Sequence, residues 1–280
     1  MDISISKSVP KPPARWVVNL AKAGFIALGI VYCLVGALAF MAAFEVGGKE
    51  VQDTDQKGAF QLILEQPFGQ VLLGLVALGL VCYTIWRLLQ AGLDPERKGS
   101  DAKGIARRVG YASSGIFYGS LAFYAASLAL GNGSQSGQGD SRQHLARELL
   151  QQPFGQWLVG LVAVGTMLFG VYQIYRAVSG RYRRKIQESQ LRTEYKTMLV
   201  RAGLVGYIAR GVVWILIGYL FLQAALHANA QEAGGTEKAF GLLEHGTYGS
   251  LLLGLVALGL ICYGVFMFVR ARSEVIQGNL

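Results

Sequence analysis

Leu73-Gly74-Leu75-Val76-Ala77-Leu78-Gly79-Leu80 recurs without change as Leu253-Gly254-Leu255-Val256-Ala257-Leu258-Gly259-Leu260. A near copy lies between them, Val159-Gly160-Leu161-Val162-Ala163-Val164-Gly165-Thr166. These charge-free runs decide the fold. In a bilayer every backbone N–H and C=O must find an internal partner, so apolar runs that extend this far are helices. Self-similarity at long, regular spacing marks a tandem repeat.

The repeat extends outward on both sides. Gln66-Pro67-Phe68-Gly69-Gln70 precedes the first run and returns as Gln152-Pro153-Phe154-Gly155-Gln156 before the second. The third copy departs there, with Gly246-Thr247-Tyr248-Gly249-Ser250. Each unit closes on aromatic-x-x-x-[Gln/Arg]-Ala, at Trp86 to Ala91, Tyr172 to Ala177 and Phe266 to Ala271. Upstream, Gly24-Phe25-Ile26-Ala27-Leu28-Gly29-Ile30-Val31-Tyr32 aligns with the stretches beginning Gly110-Tyr111 and Gly206-Tyr207. Their shared pattern is Gly-aromatic-x-x-x-Gly-apolar-x-aromatic.

Composition agrees. The 280 residues are 52% apolar and 15% charged, with mean hydropathy +0.38, against about 25% charged in soluble domains. A span takes about 20 apolar residues, and segments 17–44, 68–91, 107–130, 154–178, 202–228 and 248–271 qualify. The first carries a small-x-small cleavage look at Ala37-Leu38-Ala39. It is longer than a signal h-region of about 7–15 residues and matches the third and fifth spans, so it reads as a helix.

Lys and Arg crowd before span one, between spans two and three and between four and five, with Arg272 after six; the other three loops carry only Lys49, Lys57, Arg142, Arg147 and Lys238, and the first and last of them are acidic. The positive-inside rule then places both termini in the cytoplasm. It also accounts for the net charge of +9 and pI near 9.5 without a nucleic-acid partner. Two spans per unit return the chain to its starting side, so the three copies are parallel repeats about an axis along the membrane normal. The expected fold is all-α and integral to the membrane, with six spans in pseudo-threefold array. Its segments are 1–16 (cytoplasmic), 17–92 (repeat 1), 93–104 (linker), 105–178 (repeat 2), 179–198 (basic linker), 199–272 (repeat 3) and 273–280 (cytoplasmic tail). Short amphipathic stretches before the even spans (Ala59, Phe60, Leu62, Ile63; Leu145, Ala146, Leu149, Leu150; Ala239, Phe240, Leu242, Leu243) predict three helices at the outer membrane surface.

This pattern resembles the bacterial membrane family catalogued as domain of unknown function 1206. The Gly-aromatic-x-x-x-Gly motif and the Pro-Phe-Gly lead into the even helices carry the resemblance, which covers nearly the whole chain. Only the third copy holds an Arg before its second Gly, at Arg210. The resemblance implies a three-unit architecture in a bacterial inner membrane and implies no activity.

The recurring glycines (Gly24, Gly29, Gly74, Gly79, Gly110, Gly115, Gly160, Gly165, Gly206, Gly211, Gly254 and Gly259) read as helix-packing positions, since small residues let helices close up in lipid. Pro67 and Pro153 read as first helical residues. Trp86, Tyr172, Tyr175 and Phe266, with Phe68, Phe154 and Tyr248 at the opposite ends, fit aromatic belts. Arg210 lies inside span five, where its repeat equivalents are Leu28 and Ser114. It either snorkels to the cytoplasmic surface or meets an interior anion or lipid headgroup. The run Arg181, Arg183, Arg184 and Lys185 suits anionic lipid.

No Asp or Glu lies in any expected span, against a carboxylate-coupled transporter. His144, His227 and His245 lack ligand spacing, and Cys33, Cys82 and Cys262 read as packing residues. No nucleophile elbow, phosphate loop or dinucleotide fingerprint occurs. Neither an enzyme nor a cofactor is expected. The expected role is a structural or lipid-contacting scaffold, with membrane lipids as partners. The alternative is a passive pore along the axis, supported by Ser113, Ser114, Ser120 and Ser127 in span three.

Overall fold

The computed structural model describes residues 15–46, 50–93, 101–131, 141–180, 193–244 and 248–273, and the regular elements among them are helical. Repeat 1 holds α1 (Arg15–Ala43), α2 (Gln56–Leu64) and α3 (Gly69–Gly92). Repeat 2 holds α4 (Ala102–Ala129), α5 (Ser141–Leu150) and α6 (Gly155–Val178). Repeat 3 holds α7 (Thr193–Leu226), α8 (Thr236–Glu244) and α9 (Gly249–Ser273). The short helices α2, α5 and α8 are those the amphipathic stretches predict. α7 begins within the expected basic linker, because backbone hydrogen bonding continues through polar turns that hydropathy does not register.

Five helices contain segments long and apolar enough to cross a membrane: Trp16–Ala43, Gly69–Gly92, Gly155–Val178, Leu199–Leu226 and Gly249–Arg272. At about 1.5 Å per residue, even the 24-residue segments exceed the roughly 30 Å hydrocarbon core. α4 is also long, at 28 residues, but its serines and tyrosines dilute its apolar character. Those serines do not make a polar stripe. Ser113, Ser120 and Ser127 donate to their own helix at the Val109, Phe117 and Tyr124 carbonyls (3.0, 2.8 and 2.8 Å), and Ser113 and Ser120 are exposed.

The Pro-Phe-Gly motif does something other than place Pro at the first helical position. The Gly69 N–H donates to the Gln66 carbonyl at 2.8 Å, and Gly155 to Gln152 at 2.9 Å. Pro67 and Pro153 are therefore the second residues of tight turns. Phe68 and Phe154 follow with φ of 61° and 63°. Pro second and positive φ third is the type II pattern. The glycine next in line has no room for a side chain. A Cβ on Gly69 would lie 2.3 Å from the Leu64 carbonyl oxygen, and one on Gly155 would lie 2.4 Å from that of Leu149. The same holds at Gly249 against Glu244, at 1.8 Å. The motif thus reverses the chain from a short helix into a long one.

The first long helix of each repeat runs along the second long helix of the repeat before it: α4 along α3, α7 along α6, and α1 along α9. Glycines form these seams. Cβ atoms on Gly29 and Gly264 would each lie within about 3 Å of the other's carbonyl oxygen (3.0 and 2.7 Å). Gly36 meets Ile261 and the Ala257 carbonyl, and Gly218 meets Met167 and the Ala163 carbonyl. The α3–α4 seam is looser, with Gly115 against Leu88 at 3.0 Å and Gly119 against Thr84 at 3.3 Å. Gly74 and Gly160 make ordinary contact with Ala129 and Ala225 at 4.0 Å, while Gly254 faces Phe44 at 3.0 Å.

Contact within a repeat is not uniform. α1 packs along α3 and α7 along α9, whereas α4 and α6 do not pack along each other. In repeat 1, Gly24 seats the backbone of Tyr83 at 2.7 Å and Gly79 seats the Ala27 methyl at 2.5 Å. In repeat 3, Gly206 seats Tyr263 at 2.7 Å and Gly259 seats Ala209 at 2.3 Å. Their counterparts Gly110 and Gly165 have nothing within 4 Å. The counterpart of Ala27 and Ala209 is Ser113, and that of Tyr83 and Tyr263 is Phe169. Phe169 turns instead to Trp214, edge to face with centroids 5.3 Å apart. Among the described residues, the α4–α6 seam of the helix array is therefore open.

Candidate functional site

The second aromatic of the Gly-aromatic-x-x-x-Gly-apolar-x-aromatic motif leads to the centre. It is Tyr32 on α1, Tyr118 on α4 and Trp214 on α7. The Tyr32 and Tyr118 hydroxyls are hydrogen-bonded at 3.1 Å. Tyr263 from α9 stacks edge-on to Tyr32 at 4.8 Å, and Tyr83 from α3 to Tyr118 at 4.9 Å. All four tyrosines are buried. Their rings bring α1, α3, α4 and α9 together.

Arg210 sits inside this cluster, 9% exposed. It does not snorkel. One Nη of its guanidinium donates to the Tyr263 hydroxyl, and its centre lies 4.9 Å from the Tyr263 ring and 5.3 Å from the Tyr32 ring. Desolvated cation–π contacts are worth about 2 kcal/mol, so the rings replace part of the lost hydration. Its Nε is buried with no acceptor. Beside it is a cavity of about 20 Å³ whose walls include Tyr32, Phe117, Trp214, Gln56, Arg142 and Thr236. Sequence reasoning singles out Arg210 but misses the tyrosines and Arg142. The recurring second aromatic of the motif was the available signal.

Three further arginines clasp the seams between repeats, each over the first aromatic of the odd-helix motif. Arg270 lies 4.4 Å from the Phe25 ring centroid, Arg87 5.3 Å from that of Tyr111, and Arg176 5.1 Å from that of Tyr207. Arg87 also donates through Nε to the Tyr83 hydroxyl at 2.8 Å and through Nη1 to Gln90 at 3.1 Å. The closing [Gln/Arg]-Ala of each unit therefore belongs partly to these clasps. Trp86 and Phe266, expected in the aromatic belt, are buried at 4% and 2% exposure. They pack inside because their helix face turns toward a neighbour. Phe68, Phe154, Tyr172, Tyr175 and Tyr248 are exposed.

Around the short helices, an open basin of about 690 Å³ is lined by Glu45, Glu50, Glu232, Glu237, Glu244 and Lys238 among others. Asp55 caps α2 by accepting from the Gly58 N–H at 2.8 Å. Burial pushes its carboxyl up, while that hydrogen bond and the charges of Lys57 and Arg142 draw it down less strongly. His227 pairs with Glu232 at 2.7 Å and His144 with Glu148 at 3.4 Å. Among the described residues no group of three His, Cys, Asp or Glu is placed to hold a metal. Cys33, Cys82 and Cys262 are half-buried and free. His245 and the basic run Arg181, Arg183, Arg184 and Lys185 lie outside the described residues.

The three tightly defined units coincide with three matches to one family model, at residues 23–94, 109–180 and 205–274. The chain belongs to the family Domain of Unknown Function (DUF1206). It is 32% identical over 255 residues to the uncharacterized protein YxxB of Bacillus subtilis (strain 168), covering 91% of this chain and 90% of that one. No solved structure matches it. Each matched unit of this chain is two long helices joined through a short helix and a glycine-sealed turn.

Proposed function

We propose that this DUF1206 protein is a structural, lipid-contacting scaffold of the bacterial inner membrane, with six spans and both termini in the cytoplasm. The observation that carries the reading is the closed centre: Tyr32, Tyr83, Tyr118, Tyr263 and Arg210 fill the place where a pore would run. The long α4 supplies the sixth span, with the hydroxyls of Ser113, Ser120 and Ser127 satisfied by its own carbonyls. The recurring contacts of α1 with α9, α4 with α3 and α7 with α6 support a pseudo-threefold array. That array is broken at the α4–α6 seam. Apolar side chains such as Leu161, Leu168 and Ile116 face outward there and elsewhere on these helices. A gap facing a bilayer is filled by the most abundant apolar matter present, so we assign the seam to acyl chains. The basic linker 179–198 faces anionic headgroups in this orientation.

Purification in nanodiscs with native mass spectrometry tests the reading. Phospholipid retained by the wild type and depleted by Gly165→Leu supports it. A second copy in place of lipid, or ion flux through reconstituted protein, overturns it. Orientation is checked in a cysteine-free background: a cysteine at position 135 labels from outside intact cells, and one at 188 does not.

A further inference from the structure

We propose that the cavity between Arg210 and Arg142 binds one halide-sized anion, chloride being the ordinary member of that class. The first argument is charge. Arg210 is nine-tenths buried, and no carboxylate pairs with it among the described residues. An ion stripped of water costs several kcal/mol unless it is met by opposite charge. The tyrosine rings and one hydroxyl meet part of that cost, and the Nε still points to no acceptor. A bound water would supply a dipole where an anion supplies a charge.

The second argument is the opposite wall. Gln56, Arg142 and Thr236 stand at the N-terminal ends of α2, α5 and α8, and all three border the cavity. Helix N-termini carry partial positive charge and unpaired N–H groups, which makes them anion sites. The α2 terminus is already capped by Asp55, and Glu237 in the first turn of α8 accepts from the Gly235 N–H at 3.2 Å. α5 has no acid in its first turn. Asp55 meets the charges of Lys57 and Arg142, and no carboxylate does the same for Arg210 among the described residues.

The third argument is size. A cavity of about 20 Å³ passes the roughly 10–15 Å³ needed for one water and has no room for a phosphate group. The sequence positions are specific to their repeats, because the equivalents of Arg210 are Leu28 and Ser114. One site per chain follows.

The test is thermal unfolding of the full chain in nanodiscs, in sodium gluconate with chloride or bromide added at constant ionic strength. A saturable rise in Tm with either halide is expected. In Arg210→Leu the apparent halide affinity falls by about tenfold or more, as for loss of a charge-assisted contact. Val213→Leu adds about one methylene to the cavity wall and keeps both arginines, so it also removes the halide response if Arg210→Leu fails to fold. Bromide-soaked crystals are expected to show an anomalous peak beside Arg210. No halide dependence in the wild type, a dependence unchanged in Val213→Leu, or a water alone at the site would overturn the proposal.

Discussion

Gly170 and Gly211 face each other so closely that a Cβ on either would strike the other's carbonyl oxygen, at 2.6 and 2.8 Å. The two residues come from different repeats, and their contact holds α6 to α7. Backbone cannot yield as a flexible side chain can. Gly211→Ala is therefore expected to destabilise by about 1–3 kcal/mol, the usual cost of overpacking. Gly165→Ala, in the open seam, should be neutral or stabilising by up to about 1 kcal/mol, because Ala favours helix over Gly. Thermal unfolding of the two variants at a fixed scan rate checks the contrast. Equal losses would mean that the α4–α6 seam is closed.

Arg210 and Tyr263 should behave as a coupled pair. Tyr263→Phe leaves a buried guanidinium short of an acceptor, at a cost of about 1–3 kcal/mol. Arg210→Leu removes the charge itself and should cost less, since replacing a buried ion by an apolar residue is often neutral. The double variant is expected to resemble Arg210→Leu alone, a non-additivity that a double-mutant cycle reads directly. Additive losses would show that the two groups do not interact.

Asp55 gives a pH dependence with a definite sign. Burial raises its folded-state carboxyl above the ordinary value, so the folded state holds the proton more tightly than the unfolded chain. Stability from this group is present below the unfolded pKa and is lost as pH rises through the raised one. Asp55→Asn keeps a cap of similar quality and removes the titration. Its Tm should change less than that of the wild type as pH rises from the carboxylate range toward neutral. A steeper fall for the variant than for the wild type would contradict this.

The arginine clasps should be individually modest. Arg270→Gln loses the contact with Phe25 and is expected to cost about 0.5–2 kcal/mol. In a Phe25→Leu background the same substitution should cost less. An unchanged cost would assign the effect to the other contacts of Arg270.

Much of the fold was legible in the residues because membrane folding is local in its first stage. Long apolar runs must be helices, and near-identical runs must be similar units. The repeat at Leu73–Leu80 and Leu253–Leu260, the short helices before it, and the glycine motif all follow from that constraint. The motif's Pro-Phe-Gly was visible as a recurrence, but its meaning as a type II turn was not. The turn is closed by the glycine N–H on the Gln66 and Gln152 carbonyls, and the glycine is required because its Cβ position meets the Leu64 and Leu149 carbonyls of the preceding helices.

What tertiary structure alone decided is how the units meet. Hydropathy cannot distinguish a helix face that touches lipid from one that touches another helix, since both are apolar. Trp86 and Phe266 were therefore indistinguishable in sequence from the exposed Tyr172. Arg210 was legible as an anomaly, but whether it snorkels or stays inside depends on Tyr32 and Tyr263, residues 178 and 53 positions away. The open seam of the middle repeat has the same origin. Ser113 and Phe169 stand where the other copies have Ala and Tyr, and those small differences act only through the close packing of two helices. The sequence determined the helices and their repetition, because backbone hydrogen bonding in lipid demands them. The packed array determined the tyrosine cluster, the buried charge and the gap, because each depends on distances between residues far apart in the chain.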